Sequence, residues 1–359
     1  MKNKKVLIIA IVAVVVVLAV VLGVALTGNN SDPTTTTTTK KPTPQTQTYK
    51  FGMGSWTTIT ASDANADADG AGEATVTVVA VLLDKDGKIV DLRVDCAQTT
   101  LSYTTAGKGT MTDDFRTKYE KHGDYGMGGK AFLDKDGDGV VLEWDAQIDA
   151  FCATVKGMTL NEVKALVADN DYAQGALVEA DCTIKVGETY RALEKAVNSA
   201  VAFEGNGTET IKLGLNTEAT IEDATADADG SAEVNTTMFA ALLDKDGKIL
   251  DSFLDAAQIQ FGFTAAGKST TDTETAFRTK YEKHGDYAMG GKTFLDKDGD
   301  GVVLEWDAQA DAFNSVCVGK TLTQVVALAL DTDYGVDELV NVDCTIKVGE
   351  FTRAASKAR

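Results

Sequence analysis

The stretch Leu82-Leu83-Asp84-Lys85-Asp86-Gly87-Lys88-Ile89 decides the fold. Ahead of it, Thr75 to Leu83 is rich in Val and Thr; behind it, Val90, Leu92, Val94 and Cys96 alternate with Asp91, Arg93 and Asp95. An Asp/Gly turn between two β-prone runs, the second alternating with period two, predicts an antiparallel hairpin with one buried face. The same segment returns as Leu242 to Ile249, and Phe115 to Tyr125 returns as Phe277 to Tyr287. From about Lys50 onward the chain is therefore a duplication, with copies at 49–203 and 210–359, each near the usual size of a domain.

Helical signals follow the hairpin in each copy. Trp144, Ile148 and Phe151 fall on one helical face, and Thr159-Leu160-Asn161-Glu162 is a capping box that opens a helix through Leu166. The second copy keeps the box as Thr321 and Gln324. A short β run, Thr183 to Val186, then passes through Gly187 into a helix with Leu193, Ala196, Val197 and Ala200 on one face. The expected fold class is α+β: two tandem copies of an antiparallel sheet packed by helices.

Ahead of the copies, Val6 to Leu26 carries no charged residue. At about 1.5 Å rise per residue it is long enough for a bilayer core of about 30 Å. It predicts a transmembrane anchor over 1–28, with a cleavable signal peptide as the alternative, and Lys2, Lys4 and Lys5 orient the remainder of the chain away from the cytoplasm. The Thr/Pro-rich segment 29–48 lacks the apolar residues needed to offset ordering entropy and reads as a disordered stalk. A formal net charge of −20 excludes nucleic acid as a partner, since phosphate backbones require Lys/Arg fields. Five cysteines, three of them without a counterpart in the other copy, argue against a disulfide framework. No nucleophile elbow, Ser/His/Asp set or His-Glu-x-x-His occurs, so hydrolase readings have no support.

Asp134, Asp136 and Asp138, followed by Gly139, occupy the first, third, fifth and sixth positions of an EF-hand-type loop, with Asp145 at the twelfth. Asp296, Asp298, Asp300 and Asp307 repeat the set. These are the candidate calcium ligands. Leu142 at the ninth position and a short carboxylate at the twelfth depart from the usual loop, and the segment before Asp134 does not read as a clean entering helix. The alternative is a solvated Asp/Gly turn. His122 and His284 are expected in polar surface loops without a ligand role.

One resemblance spans nearly all of each copy. The Asp-Gly-Lys-Ile hairpin is followed by Asp-x-Ala-Gln (Asp95 to Gln98; Asp255 to Gln258) and by Tyr-Gly-Met or Tyr-Ala-Met (Tyr125 to Met127; Tyr287 to Met289). A Glu-Trp-x-x-Gln helix and a terminal Thr-containing strand and helix complete the order. This succession resembles the FMN-binding-domain flavoproteins of Gram-positive cell surfaces. In that family a transferase joins FMN to a Thr or Ser hydroxyl through a phosphoester, and the flavin relays electrons outside the membrane. Carried over by position, the resemblance implies attachment at Thr183 and Thr345. Tyr125, Met127, Tyr287 and Met289 are candidates to cover the isoalloxazine ring, since aromatic and thioether groups pack on flat π systems, with core packing as the alternative role for each. The family's Ser/Thr-Gly-Ala-Thr/Ser motif is replaced here by Ala180-Asp181-Cys182 and Val342-Asp343-Cys344 ahead of each Thr. The implied protein is a membrane-anchored, extracytoplasmic carrier of covalent FMN, with a flavin transferase as partner and a membrane dehydrogenase or quinol pool as electron donor. The alternative is a non-catalytic surface module for structure or adhesion, stabilised by calcium.

Overall fold

A computed structural model describes residues 46–135, 137, 139–297, 299 and 301–359. The expected anchor and all but the last three residues of the expected stalk lie outside the described residues, as do Asp136, Asp138, Asp298 and Asp300. Among the described residues no helix is long and apolar enough to cross a membrane.

The first copy contributes β1 (Gln47–Ser62), β2 (Gly70–Leu83), β3 (Ile89–Tyr103), β4 (Gly109–Met111) and β5 (Val201–Gly205). They form one antiparallel sheet in the order β4-β3-β2-β1-β5. β1 starts at Gln47, inside the segment expected as stalk. The second copy forms a three-stranded antiparallel sheet, β6 (Thr210–Glu222), β7 (Gly230–Leu243) and β8 (Ile249–Phe263), in that order. The mixed α+β class with antiparallel sheets is as expected from the hairpins. The Asp84 turn is built as its composition predicts: the Asp84 carboxylate accepts from the N–H groups of Asp86 and Lys88.

Helices of the first copy are α1 (Lys118–Lys121), α2 (Trp144–Val155), α3 (Leu160–Lys164), α4 (Ala176–Glu179) and α5 (Gly187–Ser199). Those of the second are α6 (Lys280–Lys283), α7 (Trp306–Cys317), α8 (Leu322–Val326), α9 (Asp337–Val340) and α10 (Gly349–Ser356). The capping boxes at Thr159 and Thr321 are present, although α3 ends at Lys164 rather than Leu166. The β run expected from Thr183 to Val186 is not a strand. Only Lys185 makes a single bridge, to Tyr172, because Asp181 just before it takes a left-handed φ of 61° that turns the chain out of an extended path.

The hairpin was expected to bury one face, and here the structure differs. Along β2, Val76, Val78, Ala80 and Leu82 join a core shared with Leu213, Leu215, Met238, Leu242 and Ile259 of the second copy. Val79, Val81 and Leu83 point the other way, into a separate core with Ile148, Phe151 and Leu193 of their own helices. The second copy does the same, packing Phe239, Ala241 and Leu243 against Phe313 and Phe351. The result is four layers, helices, sheet, sheet, helices, in which each copy covers the face the other would leave to water. The two halves meet reciprocally. Tyr103 stacks on Phe263 at 4.6 Å and 1°. Ala64 N–H donates to Gly267 O at 2.7 Å, and Ala224 N–H donates to Gly107 O at 2.8 Å. Such pairing is what a local two-fold axis produces.

Gly54 and Gly214 let the terminal helices lie directly on the outer sheet faces. A Cβ at Gly54 would sit 2.3 Å from Ala196 N, and one at Gly214 would sit 2.1 Å from Ala354 O. Gly54→Val and Gly214→Val are each expected to cost at least the ~1–3 kcal/mol of ordinary overpacking, because the obstacle is backbone. Since the central core is common to both copies, calorimetry should record one unfolding transition. Two separated transitions, or a Gly214→Val variant that melts only the second copy, would contradict a shared core.

Candidate functional site

The N-terminus of α2 organises the site of the first copy. Glu143, its N-cap, accepts the backbone N–H groups of Met127 and Gly128 at 2.9 and 2.8 Å. One turn later Gln147, fully buried, accepts the N–H and the hydroxyl of Thr183 on one carbonyl oxygen, at 2.8 and 3.2 Å. Its amide nitrogen donates to Leu142 O at 2.9 Å. Residues four apart share a helix face, so one helix end fastens both the Tyr-Gly-Met segment and the Thr183 segment. Glu305 and Gln309 repeat this with Met289, Gly290 and Thr345.

Between the two fastened segments lies an open cleft of about 190 Å³. Tyr125, Met127, Trp144, Tyr172 and Ile184 supply its apolar lining, and Phe132, 63% exposed, stands at it. Lys118 and Lys185 add two ammonium groups: Lys118 Nζ lies 5.1 Å from the Tyr125 ring centre and 5.9 Å from that of Trp144, and Lys185 Nζ lies 5.6 Å from Tyr172. The Tyr125 hydroxyl donates to Gln98 at 3.0 Å, as Tyr287 does to Gln258. The structure thus brings Tyr125 and Met127 together beside Ile184 and Lys185, the two residues after Thr183.

The attachment candidates themselves are closed. Thr183 and Thr345 are each 4% exposed, and both hydroxyls are given to a buried glutamine. A flat ring fits the character of the cleft; a phosphoester on Thr183 requires the hydroxyl to leave Gln147. Cys182 and Cys344 are buried and their thiols are pushed up to about 12 by burial, as small core residues. All five cysteines are free.

Asp95 is 3% exposed and holds the start of α1: Thr117, the N-cap of that helix, donates its hydroxyl to Asp95 at 2.9 Å. Burial pushes the Asp95 carboxyl up to about 6, against the pull of the Arg359 guanidinium 3.5 Å away.

Of the expected metal ligands, four lie within the described residues. Asp134 accepts from Gly139 N–H at 3.2 Å, and among the described residues its other oxygen is buried without a hydrogen-bond partner. Asp145 lies in the first turn of α2 and Asp307 in that of α7; each binds a histidine, His122 or His284, at 2.7 Å and, among the described residues, leaves its second oxygen buried and unpartnered. Asp296 accepts from Gly299 and Gly301. The entering segment is a single 3₁₀ turn, Ala131–Leu133, matching the absence of an entering-helix pattern. Among the described residues no three His, Cys, Asp or Glu side chains converge as a metal centre. Orphaned oxygens at the first and twelfth positions are nonetheless what a hard, oxygen-seeking cation would satisfy.

The sequence motifs contain Gln98, Glu143, Trp144 and Gln147 without assigning them a role at the site, and sequence reasoning missed the cleft residues Lys118, Phe132 and Tyr172. Their signal was retention: each recurs in the second copy with the same residue type. Gln147→Leu is expected to destabilise the protein by about 1–3 kcal/mol, because it leaves the Thr183 N–H and hydroxyl buried without an acceptor. Urea unfolding checks this, and an unchanged midpoint would mean that the Thr183 segment finds another partner.

No family model, curated protein or solved structure matches the chain.

Proposed function

We propose that the chain is a membrane-anchored, extracytoplasmic electron carrier, each copy seating the isoalloxazine ring of FMN in the cleft beside Thr183 or Thr345. The observation that carries this reading is the cleft of the first copy: tyrosine, tryptophan and methionine side chains with two ammonium groups, next to the threonine that the family resemblance singles out, and the same residue types recur in the second copy. FMN would supply the redox chemistry, and the chain's own residues hold and orient it. Tyr125, Met127 and Tyr172 pack on the ring, Glu143 fixes the Met127 segment, and Gln147 releases the Thr183 hydroxyl to a flavin transferase. A membrane dehydrogenase or quinol pool is the electron donor, reached through the anchor at Val6 to Leu26 and the stalk. A carrier of this kind needs no catalytic residues of its own.

Intact mass of protein coexpressed with a flavin transferase should show two FMN additions, both lost in the Thr183→Ala, Thr345→Ala double variant. Flavin released on denaturation would keep the cleft and discard the covalent link. A colourless, unmodified protein would refute the reading.

The unpartnered Asp134, Asp145 and Asp307 oxygens favour a second reading, a surface module stiffened by calcium. Calcium at millimolar concentration is then expected to evolve or absorb heat on calorimetry and to raise the melting temperature, and Asp134→Ala with Asp296→Ala should abolish both effects. No heat and no melting shift in the unaltered protein would remove the metal.

A further inference from the structure

We infer that Lys118 and Lys280 select for negative charge on a flat aromatic ring held beside them, so that a flavin is held more tightly reduced than oxidised. This rests on the flavin reading above and adds which redox state the site favours.

The two lysines occupy the first position of α1 and α6, inside the capping boxes Thr117–Glu120 and Thr279–Glu282 that fix the helix starts. Lys280 is only 9% exposed, and its ammonium sits 5.5 Å from the centre of Tyr287 and 5.8 Å from that of Trp306. Lys118 repeats the arrangement over Tyr125 and Trp144 and lines the cleft. Among the described residues neither ammonium forms an ion pair; Glu350 and Glu233 act on Lys280 from farther away. Burial opposes both charges: it draws the Lys280 amine below its ordinary range, whereas at Lys118 the nearby Cys96, Tyr125 and Glu188 outweigh it and hold the amine above. Aromatic faces offset part of that cost. A counter-charge arriving in the cleft would offset the rest. The positions are held rigidly: Thr117 is fastened to Asp95, and the backbone of Tyr281 is fastened to Asp255. The cation is therefore preorganised for a ligand that brings charge without moving the protein.

Reduction of a flavin ring by a dihydroquinone supplies such a charge. The dihydroquinone loses two electrons and two protons and leaves as the quinone. The ring gains both electrons and one proton, the second proton goes to solvent, and one net negative charge stays on the ring. An adjacent ammonium stabilises that state and does little for the neutral oxidised ring.

The test uses the full-length protein in detergent, made in cells lacking a flavin transferase. It is titrated anaerobically at pH 8 with oxidised FMN and with dithionite-reduced FMN, following tryptophan fluorescence. The reduced form should bind about tenfold more tightly, equivalent to about 30 mV for a two-electron couple. In the Lys118→Met, Lys280→Met variant the ratio of the two affinities should fall to about one, and arginine at both positions should restore it. Circular dichroism checks the fold, and glutamine replaces methionine if the first variant does not fold. Equal affinities in the unaltered protein, or a preference that survives in the methionine variant, would overturn the inference and leave the flavin reading standing. Failure to bind FMN in either form would overturn both.

Discussion

Strands β2 and β7 are apolar on both faces, and the rest of the molecule answers that constraint. A strand of alternating solvent and core residues can rest on one layer of helices. One that carries Val76, Val78 and Ala80 on one side and Val79 and Val81 on the other needs two covers. At roughly 25 cal/mol per Å² of apolar surface, leaving either side wet would forfeit a large part of the stability of a small sheet. Duplication supplies the missing cover, because the second copy has the same unmet need. The reciprocal contacts of Asp63 with Ser269 and of Asp223 with Gly109 then fix how the sheets align.

With the central faces committed to each other, the outer faces hold everything that distinguishes this chain chemically. Gly54 and Gly214 bring a helix into backbone contact on each outer face. The helices that begin at Trp144 and Trp306 tie the Tyr-x-Met and Thr segments from one end. The cleft is thus a by-product of helix capping: Glu143 sits where an N-cap acceptor belongs, yet its carboxylate serves a neighbouring loop instead of its own helix.

Much of this was legible in the sequence, for reasons that can be named. The hairpins, the Asp84 and Asp244 turns, the Trp144 helix and the capping boxes are local, and local chemistry fixed them. The second buried face was missed because period-two alternation reports one covered face, whereas a strand covered twice reads as a continuous apolar run, as Val78 to Leu83 does. The strand drawn at Thr183 failed on Asp181 and Asp343, whose left-handed φ values of 61° and 60° nothing in the sequence announced. Cysteine, threonine and isoleucine there look extended, and the turn before them decides otherwise. The His122 and His284 pairings join residues 23 apart through a loop, a separation at which no local rule operates.

The four-layer order has one more consequence. Because the helices of each copy form an outer layer, the Thr183 segment and its counterpart at Thr345 lie on opposite sides of a double sheet. If each layer takes a ligand as proposed, two partners would be engaged at once without competing for space. Tethered between them, the molecule would act as a bridge whose strength grows by avidity rather than by any signal passed through its centre.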